Sequence, residues 1–434
     1  MRLVPGCVYP AARARQRGQA FLIAVLLLVV GIGALIYSLV SPAKITLEND
    51  RKTADALARA KDALIGFAAG VDTSGAAARP GELLCPSRTT LADGTPTGIA
   101  TTPCDTPSRR IGYLPWRTLG IPDLRDSSGE RLWYAVSNNF KNNPRIYPLN
   151  SDTLGEYAVT GTTTASNVIA VVFAPGAVVG NQNRTPLVTA LCATTGTTIP
   201  RVLCAENYLE GGNQDGDAVF TTGLPTATFN DKLLLITSDA LFPAVEARVA
   251  KEVLNALNSY FLANDYFPPP AVPTDATCLG SGPLPATDCP SDPLPPAGTV
   301  HDTGRIPNLP LIAPYVPSSI LNGNNAIVTC PGSIYWFQCN GWRELTWMAV
   351  SSLCLAGPTC LLGNLTVWWR PYGTSTANQK IAVFVAGRAL TGDARSTVAE
   401  KTTPSNYIEA ANVSGPNYDK GAATATFNDK VLHN

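Results

Sequence analysis

Between residues 210 and 217 the chain reads EGGNQDGD, with oxygen-bearing side chains at short intervals among glycines. Calcium takes about six to eight oxygens from a tightly turning loop, so Glu210, Asn213, Asp215 and Asp217 form a candidate calcium site. The competing reading is a polar turn, because Asn, Asp and Gly dominate turns for backbone reasons. A related stretch offers Glu409, Asn412, Asn417 and Asp419 at wider spacing. No other cofactor is expected. Catalytic constellations are scarce: the only histidines are His301 and His433, and neither GxxxxGK[ST] nor GxSxG occurs. A histidine triad and a His-rich metal centre are therefore excluded. Asp123 with Asp126 has a glycosidase's residue types, but nothing in the spacing singles the pair out. The expectation is a protein that is not an enzyme.

The cysteines lie as near neighbours along the chain: Cys85 with Cys104, Cys192 with Cys204, Cys278 with Cys289, Cys330 with Cys339, and Cys354 with Cys360. Five small disulfide loops are the working connectivity, although spacing alone leaves other pairings open. Paired CxxC knuckles are absent, so disulfides in an oxidising compartment are favoured over zinc. Cys7 stands apart, ahead of Gly18.

The elements that must carry these groups begin with a basic leader. Arg2, Arg13, Arg15 and Arg17 are followed by Gly18 and then by an uncharged apolar run over residues 20–40. That run is long enough for a bilayer of roughly 30 Å. The arginines on one side of it place the N-terminus in the cytoplasm and the bulk outside. Beyond Pro42, Leu47, Ala54, Leu57, Ala58, Leu64, Ile65 and Ala68 recur at three- and four-residue steps, which predicts an amphipathic helix lying on a folded domain.

At 434 residues, several domains are expected. Net charge is +0, which gives no field for nucleic acid, and charged residues are only 15% against 45% apolar. An internal repeat supplies the organisation. TATFNDK occurs at 226–232 and again at 424–430, and upstream Asn207, Tyr208 and Glu210 answer Asn406, Tyr407 and Glu409. The run 168–173 answers 380–385, and Ala135, Val136 and Ser137 answer Ala349, Val350 and Ser351. Trp116, Arg117 and Leu119 answer Trp342, Arg343 and Leu345, and Ala63 with Leu64 answers Ala256 with Leu257.

Asn230–Asp231 and Asn428–Asp429 read as strand-entry turns, and the two tryptophans as core. Short β-rich runs are expected at 132–136, 168–173 and 232–237, and again at 333–337, 345–350, 365–369 and 380–385. The Pro-rich stretch 267–317 is a loop, equally readable as a recognition surface or a plain insert.

The leader, Gly18, the apolar helix and its amphipathic continuation resemble the start of type IV pilins and pseudopilins. The resemblance covers about the first 70 residues. It implies cleavage by a prepilin peptidase between Gly18 and Gln19, methylation of the new N-terminus, and association with other pilins or pseudopilins through the N-terminal helix. Two positions depart from the family pattern: Gln19 replaces the usual aromatic or Met, and Ile23 replaces the usual Glu at the fifth mature position. The missing glutamate points to a minor, capping or initiating subunit.

The expected fold is α+β. A leader (1–18) and a transmembrane helix (19–42) precede two tandem helix-plus-antiparallel-sheet units, 43–240 and 241–434, with disulfides. The expected function is a minor pilin or pseudopilin-like subunit of a type IV pilus or type II secretion-like filament, anchored in the bacterial inner membrane with its bulk periplasmic or in a surface filament. The alternative is a membrane-tethered adhesin or binding protein that prepilin peptidase never cuts, and a surface hydrolase is the weakest of the three readings.

Overall fold

The computed structural model describes residues 17–39, 42–73, 79–279, 302–308, 320–321, 336–355 and 360–434. It divides into two compact units, Met1–Ala54 and Asp55–Asn434.

In the first unit, α1 (Arg17–Leu39) is helical, and its described side chains, residues 21–32, are apolar and exposed all round; Leu22 is 67% and Leu28 63% exposed. Among the described residues no helix is long and apolar enough to cross a membrane. The transmembrane expectation for 19–42 therefore lacks support there: the described stretch of side chains is shorter than the about 20 residues a span needs. The leader, residues 1–16, and Cys7 with it, lies outside the described residues.

The second unit begins within α2 (Pro42–Ala69). From Asp55 onward this helix buries Leu57, Leu64 and Ala68 of the expected stripe together with Ala56 and Ala60, while Ala58, expected on that face, is exposed. A second long helix, α3 (Ser238–Asn264), buries Val249, Ala250, Val253 and Leu257 in the same pattern. It ends where Asp265 turns left-handed (φ 62°) and donates its N–H to Phe261 O at 2.8 Å.

After α2 come β1 (Ile111–Tyr113), β2 (Trp133–Val136), β3 (Tyr157–Gly161), β4 (Ala165–Val168), β5 (Ala170–Ala174), β6 (Ala190–Leu191), β7 (Thr198–Ile199), β8 (Val219–Thr222) and β9 (Lys232–Ile236). After α3 come β10 (Asp302–Arg305), β11 (Thr346–Val350), β12 (Leu365–Trp369), β13 (Thr374–Gln379), β14 (Ile381–Val385), β15 (Asn417–Lys420) and β16 (Lys430–His433). Two four-stranded antiparallel sheets result, β1-β2-β5-β9 and β10-β11-β14-β16, with one topology. Two three-stranded sheets, β4-β3-β8 and β13-β12-β15, repeat as well. The small β6–β7 hairpin belongs to the first copy.

Register corrects two details of the repeat. Trp133 pairs with Phe173 in one copy and Trp347 with Phe384 in the other, so Phe173 answers Phe384. Matching 168–173 to 380–385 is thus one residue out of step, and in a strand that slip exchanges the two faces. Trp116 and Trp342 both lie in the connection between the first two strands of their sheets. Trp116 follows β1 by three residues and Trp342 precedes β11 by four, so they are not equivalent.

Three further expectations change. The sheets are not purely antiparallel, because β3 pairs parallel with β8 and β12 parallel with β15. The strand expected at 333–337 is absent where described: Trp336–Cys339 is a helical turn. Most of 267–317 lies outside the described residues, as do Cys289, Cys330 and His301.

Both faces of each large sheet are covered. In the first copy, Tyr134, Val136, Ala170 and Val172 join the core that includes α2 and α3, while Trp133, Ala135, Val171 and Phe173 join a second core with Tyr157, Tyr208 and Phe220. That explains why β5 (AVVFA) is apolar without alternation. The helix-side core runs on without interruption into Trp347, Met348, Val383 and Phe384 of the second copy. The two copies therefore share one hydrophobic interior.

A polar clasp reinforces that junction. Asn150 Nδ2 donates to Asn340 O at 2.8 Å, Ser151 Oγ donates to Glu246 Oε1 at 2.7 Å, and Asp152 Oδ1 takes the Arg395 guanidinium at 3.0 Å and the Ala389 N–H at 3.0 Å. Arg395 also donates to Asn406 O and Gly387 O and lies 4.5 Å from the Tyr407 ring centre. Because Asp152 is about one-third exposed, Arg395→Met should destabilise by about 2–3 kcal/mol, below the about 3–5 kcal/mol for breaking a fully buried pair. Urea denaturation of the variant checks this, and an unchanged midpoint would show that the clasp contributes nothing.

Candidate functional site

The calcium candidates separate on folding. Glu210 and Asn213 are buried, whereas Asp215 and Asp217 sit at the surface with their carboxylates on local amides: Asp215 Oδ1 accepts from Asp217 N, and Asp217 Oδ1 from Val219 N. The carboxylates of Glu210, Asp215 and Asp217 do not gather within 4.8 Å of one another. Asp215 and Asp217 behave as turn residues, which is the competing reading of this segment.

Glu210 and Asn213 instead meet a residue of the repeated heptapeptide. Asp231 Oδ2 accepts from Glu210 N at 2.9 Å and from Asn213 Nδ2 at 2.9 Å. Glu210 Oε2 accepts the backbone N–H groups of Asn230 (3.0 Å) and Asp231 (3.1 Å), and Glu210 Oε1 accepts from Gln182 Nε2. Asn213 also exchanges two hydrogen bonds with the Thr221 backbone in β8. One buried cluster thus ties the 205–213 segment, β8 and the entry to β9 together.

The second copy repeats it except for the Gln182 bond, which has no counterpart at Glu409 Oε1 among the described residues. Asp429 Oδ2 accepts from Glu409 N (2.9 Å) and Asn412 Nδ2 (2.8 Å); Glu409 Oε2 accepts from Asn428 N (3.1 Å) and Asp429 N (3.2 Å); Asn412 holds the Asp419 backbone. The asparagine of each heptapeptide reaches the equivalent carbonyl of its copy, Ala177 O from Asn230 and Arg388 O from Asn428. Gly176 and Gly387 make room for it: a Cβ there would lie within 2.9 Å and 2.8 Å, respectively, of the Asn230 and Asn428 amide atoms.

Two carboxyl groups face each other in each cluster. Burial, then the Glu210 carboxylate, raise the Asp231 carboxyl to about 8; burial, then Glu409, hold Asp429 well above the usual range. In each pair, burial and the facing glutamate favour the protonated form of the aspartic acid. Glu246 in the clasp is raised to about 7, chiefly by burial.

The sequence reading gave Asn–Asp a turn role and missed the pairing. The available signal was the Glu-x-x-Asn spacing kept in both copies, Glu210/Asn213 and Glu409/Asn412.

Of the disulfides, Cys85–Cys104, Cys192–Cys204 and Cys354–Cys360 are formed, with Cα separations of 5.8, 5.2 and 4.6 Å. Cys278 and Cys339 are also disulfide-bonded. The one His/Cys/Asp/Glu cluster of metal-site dimensions among the described residues is Cys192, Cys204 and Glu206. Its thiols are joined in a disulfide, and Glu206 accepts from Ala193 N and Thr194 Oγ1, so it offers no thiolate ligand. Asp123 is paired with Arg125 and Arg131, and Asp126 accepts from the Ser128, Glu130 and Gly176 amides, so that pair serves structure. His433 Nδ1 lies 2.8 Å from Gln379 Oε1. Gly18 and Gln19 fall within the α1 backbone, and the Gln19 side chain is not among those described.

Compared with known proteins, the chain matches no family model, no curated protein and no solved structure.

The sign of the proton linkage is fixed by the raised values. A carboxyl whose folded pKa exceeds its unfolded pKa near 4 stabilises fully below the unfolded value and loses that contribution as pH rises through the folded one. The melting temperature should therefore fall between pH 6 and 9. Asp231→Asn with Asp429→Asn mimics the protonated acids, with the amide oxygen accepting and the NH2 group donating to the glutamates. The double variant should melt above the parent at pH 8 and show a flatter slope. A parent whose melting temperature rises across that window, or a variant with the parent's slope, would contradict the shared-proton assignment.

Proposed function

We propose that this chain is a minor pilin or pseudopilin-like assembly subunit whose N-terminal helix is its docking element. The supporting observation is α1: Phe21, Leu22, Ile23, Leu26, Leu27, Leu28, Val29 and Val30 are all 60% exposed or more. Such a helix has no polar face to turn to water, so it belongs in lipid or among other apolar helices. Fully burying each large side chain gains about 1.5–3 kcal/mol.

The reading joins that helix to the basic leader, with Gly18 and Gln19 flanking the cleavage point. Prepilin peptidase, the inner membrane and neighbouring pilins or pseudopilins are its partners. Ile23 offers no carboxylate to neutralise a neighbour's terminal amine in the bilayer, where an unpaired charge is costly. A capping or initiating position follows. The disulfides agree with a periplasmic or extracellular bulk, and within Asp55–Asn434 the buried stripe of α2 and the sheets are the arrangement expected of a filament head.

Co-expression with and without a prepilin peptidase, followed by mass analysis of the N-terminus, tests the proposal. The expected product with the peptidase begins at a methylated Gln19. Retention of residues 1–18 in both cases, or cleavage beyond Ser38, would favour the tethered adhesin instead.

A further inference from the structure

The two copies serve as controls for each other, and they differ most at one hairpin. In the first copy β3 ends in Thr160 and Gly161 and the turn to β4 begins at Thr162. In the second β12 ends in Trp368 and Trp369 and the turn to β13 carries Arg370, Pro371 and Tyr372. Register makes Trp369 the counterpart of Gly161 and Lys420 the counterpart of Thr222, because Gly161 pairs with Thr222 and Trp369 with Lys420 in the equivalent parallel ladders. At Gly161 no side chain fits, since a Cβ would stand 1.8 Å from Thr222 O.

The fold therefore does not require aromatic residues here. Yet Trp368, Trp369 and Tyr372 are 42%, 41% and 73% exposed and together make an apolar surface held open to solvent.

Trp369, Pro371, Tyr372, Lys420 and Lys430 line a cleft of about 230 Å³. The Trp369 and Tyr372 rings form a corner, with centres 5.8 Å apart and planes inclined at 55°. Lys420 Nζ lies 5.0 Å from the Trp369 ring centre. Charge is not balanced in the cleft. Asp419 is taken by Arg370 at 2.6 Å; neither lysine is in an ion pair among the described residues, and Lys430 also lies near enough to Glu246 to act on its carboxyl. Lys430 stands near enough to help burial lower the Lys420 ammonium. An aromatic corner beside two cations, with no carboxylate among the residues that line it, is complementary to a ligand with one apolar face and one anionic group.

We propose that this cleft binds an acidic saccharide, with the C–H face of one sugar ring against Trp369 or Tyr372 and the ring's carboxylate on Lys420 and Lys430. The negative face of an aromatic ring attracts the polarised C–H groups of a pyranose. A cleft of this size holds about one ring. Nucleic acid fits less well, since it is bound along a continuous basic groove with successive stacking rings. Here there are two cations, and the charge outside the N-terminal arginines is net acidic.

Titration of the full chain in detergent with trigalacturonate, followed by tryptophan fluorescence, tests the site. Maltotriose, a short oligothymidylate and a glutamate-rich peptide are the comparison ligands. Saturable binding of trigalacturonate, weakened by salt and at least about tenfold tighter than maltotriose, is expected. Lys420→Met should weaken it about tenfold, and Trp369→Ala and Tyr372→Ala should each weaken it further than they change the melting temperature. Tyr372 is exposed enough that its variant folds even where Trp369→Ala does not. The assignment is overturned by absence of binding at about 10 mM trigalacturonate, by variants that bind like the parent, or by preference for oligothymidylate or the peptide.

Discussion

Each large sheet is apolar on both faces, and that constraint organises everything from Asp55 onward. An antiparallel sheet usually leaves one face to water. Here strands such as β5 and β14 are buried along their whole length, so each sheet needs two covers. A long helix supplies one and a small three-stranded sheet with its loops supplies the other. The cover on the helix side is where the duplication became one body, because α2, α3 and residues of both sheets fill a single core.

The second cover has to be pinned from within, since its strands are short. The Glu–Asn–Asp cluster does this by joining the 205–213 segment to β8 and to the start of β9, and its twin does the same around β15 and β16. Burying two carboxyl groups together is costly unless one stays protonated. Backbone amides around the glutamate and a proton on the aspartate meet that cost, so the same four-residue logic recurs although the loops around it have diverged.

Much of this was legible in the chain. The TATFNDK repeat and the helical spacing of Leu57, Leu64 and Ala68 foretold a doubled helix-and-sheet arrangement, and neighbouring cysteines foretold the three disulfides whose two ends both lie among the described residues. What was lost lay in relations between distant residues. Periodicity cannot show that β3 and β8 run parallel, because pairing across 60 residues leaves no local mark. The one-residue slip at β5 arose because an unbroken apolar run has no alternation to fix its face. The calcium reading took Glu210 and Asn213 as neighbours of Asp215, when their partner is Asp231, beyond an intervening strand. Trp369 carries no sequence sign of exposure, since an aromatic in a strand is ordinarily core.

The clasp of Asn150, Ser151 and Asp152 on Asn340, Glu246 and Arg395 has a mechanical consequence. With a common interior and this lateral lock, the described residues from Asp55 to Asn434 pack the two copies into one unit. A pull applied to the outer strands of the second copy would load the packed interior in shear, and reach the Asp55–Ala69 stretch of α2 through side chains and not through a slack tether. Duplication around a shared core turns two copies into one load-bearing body.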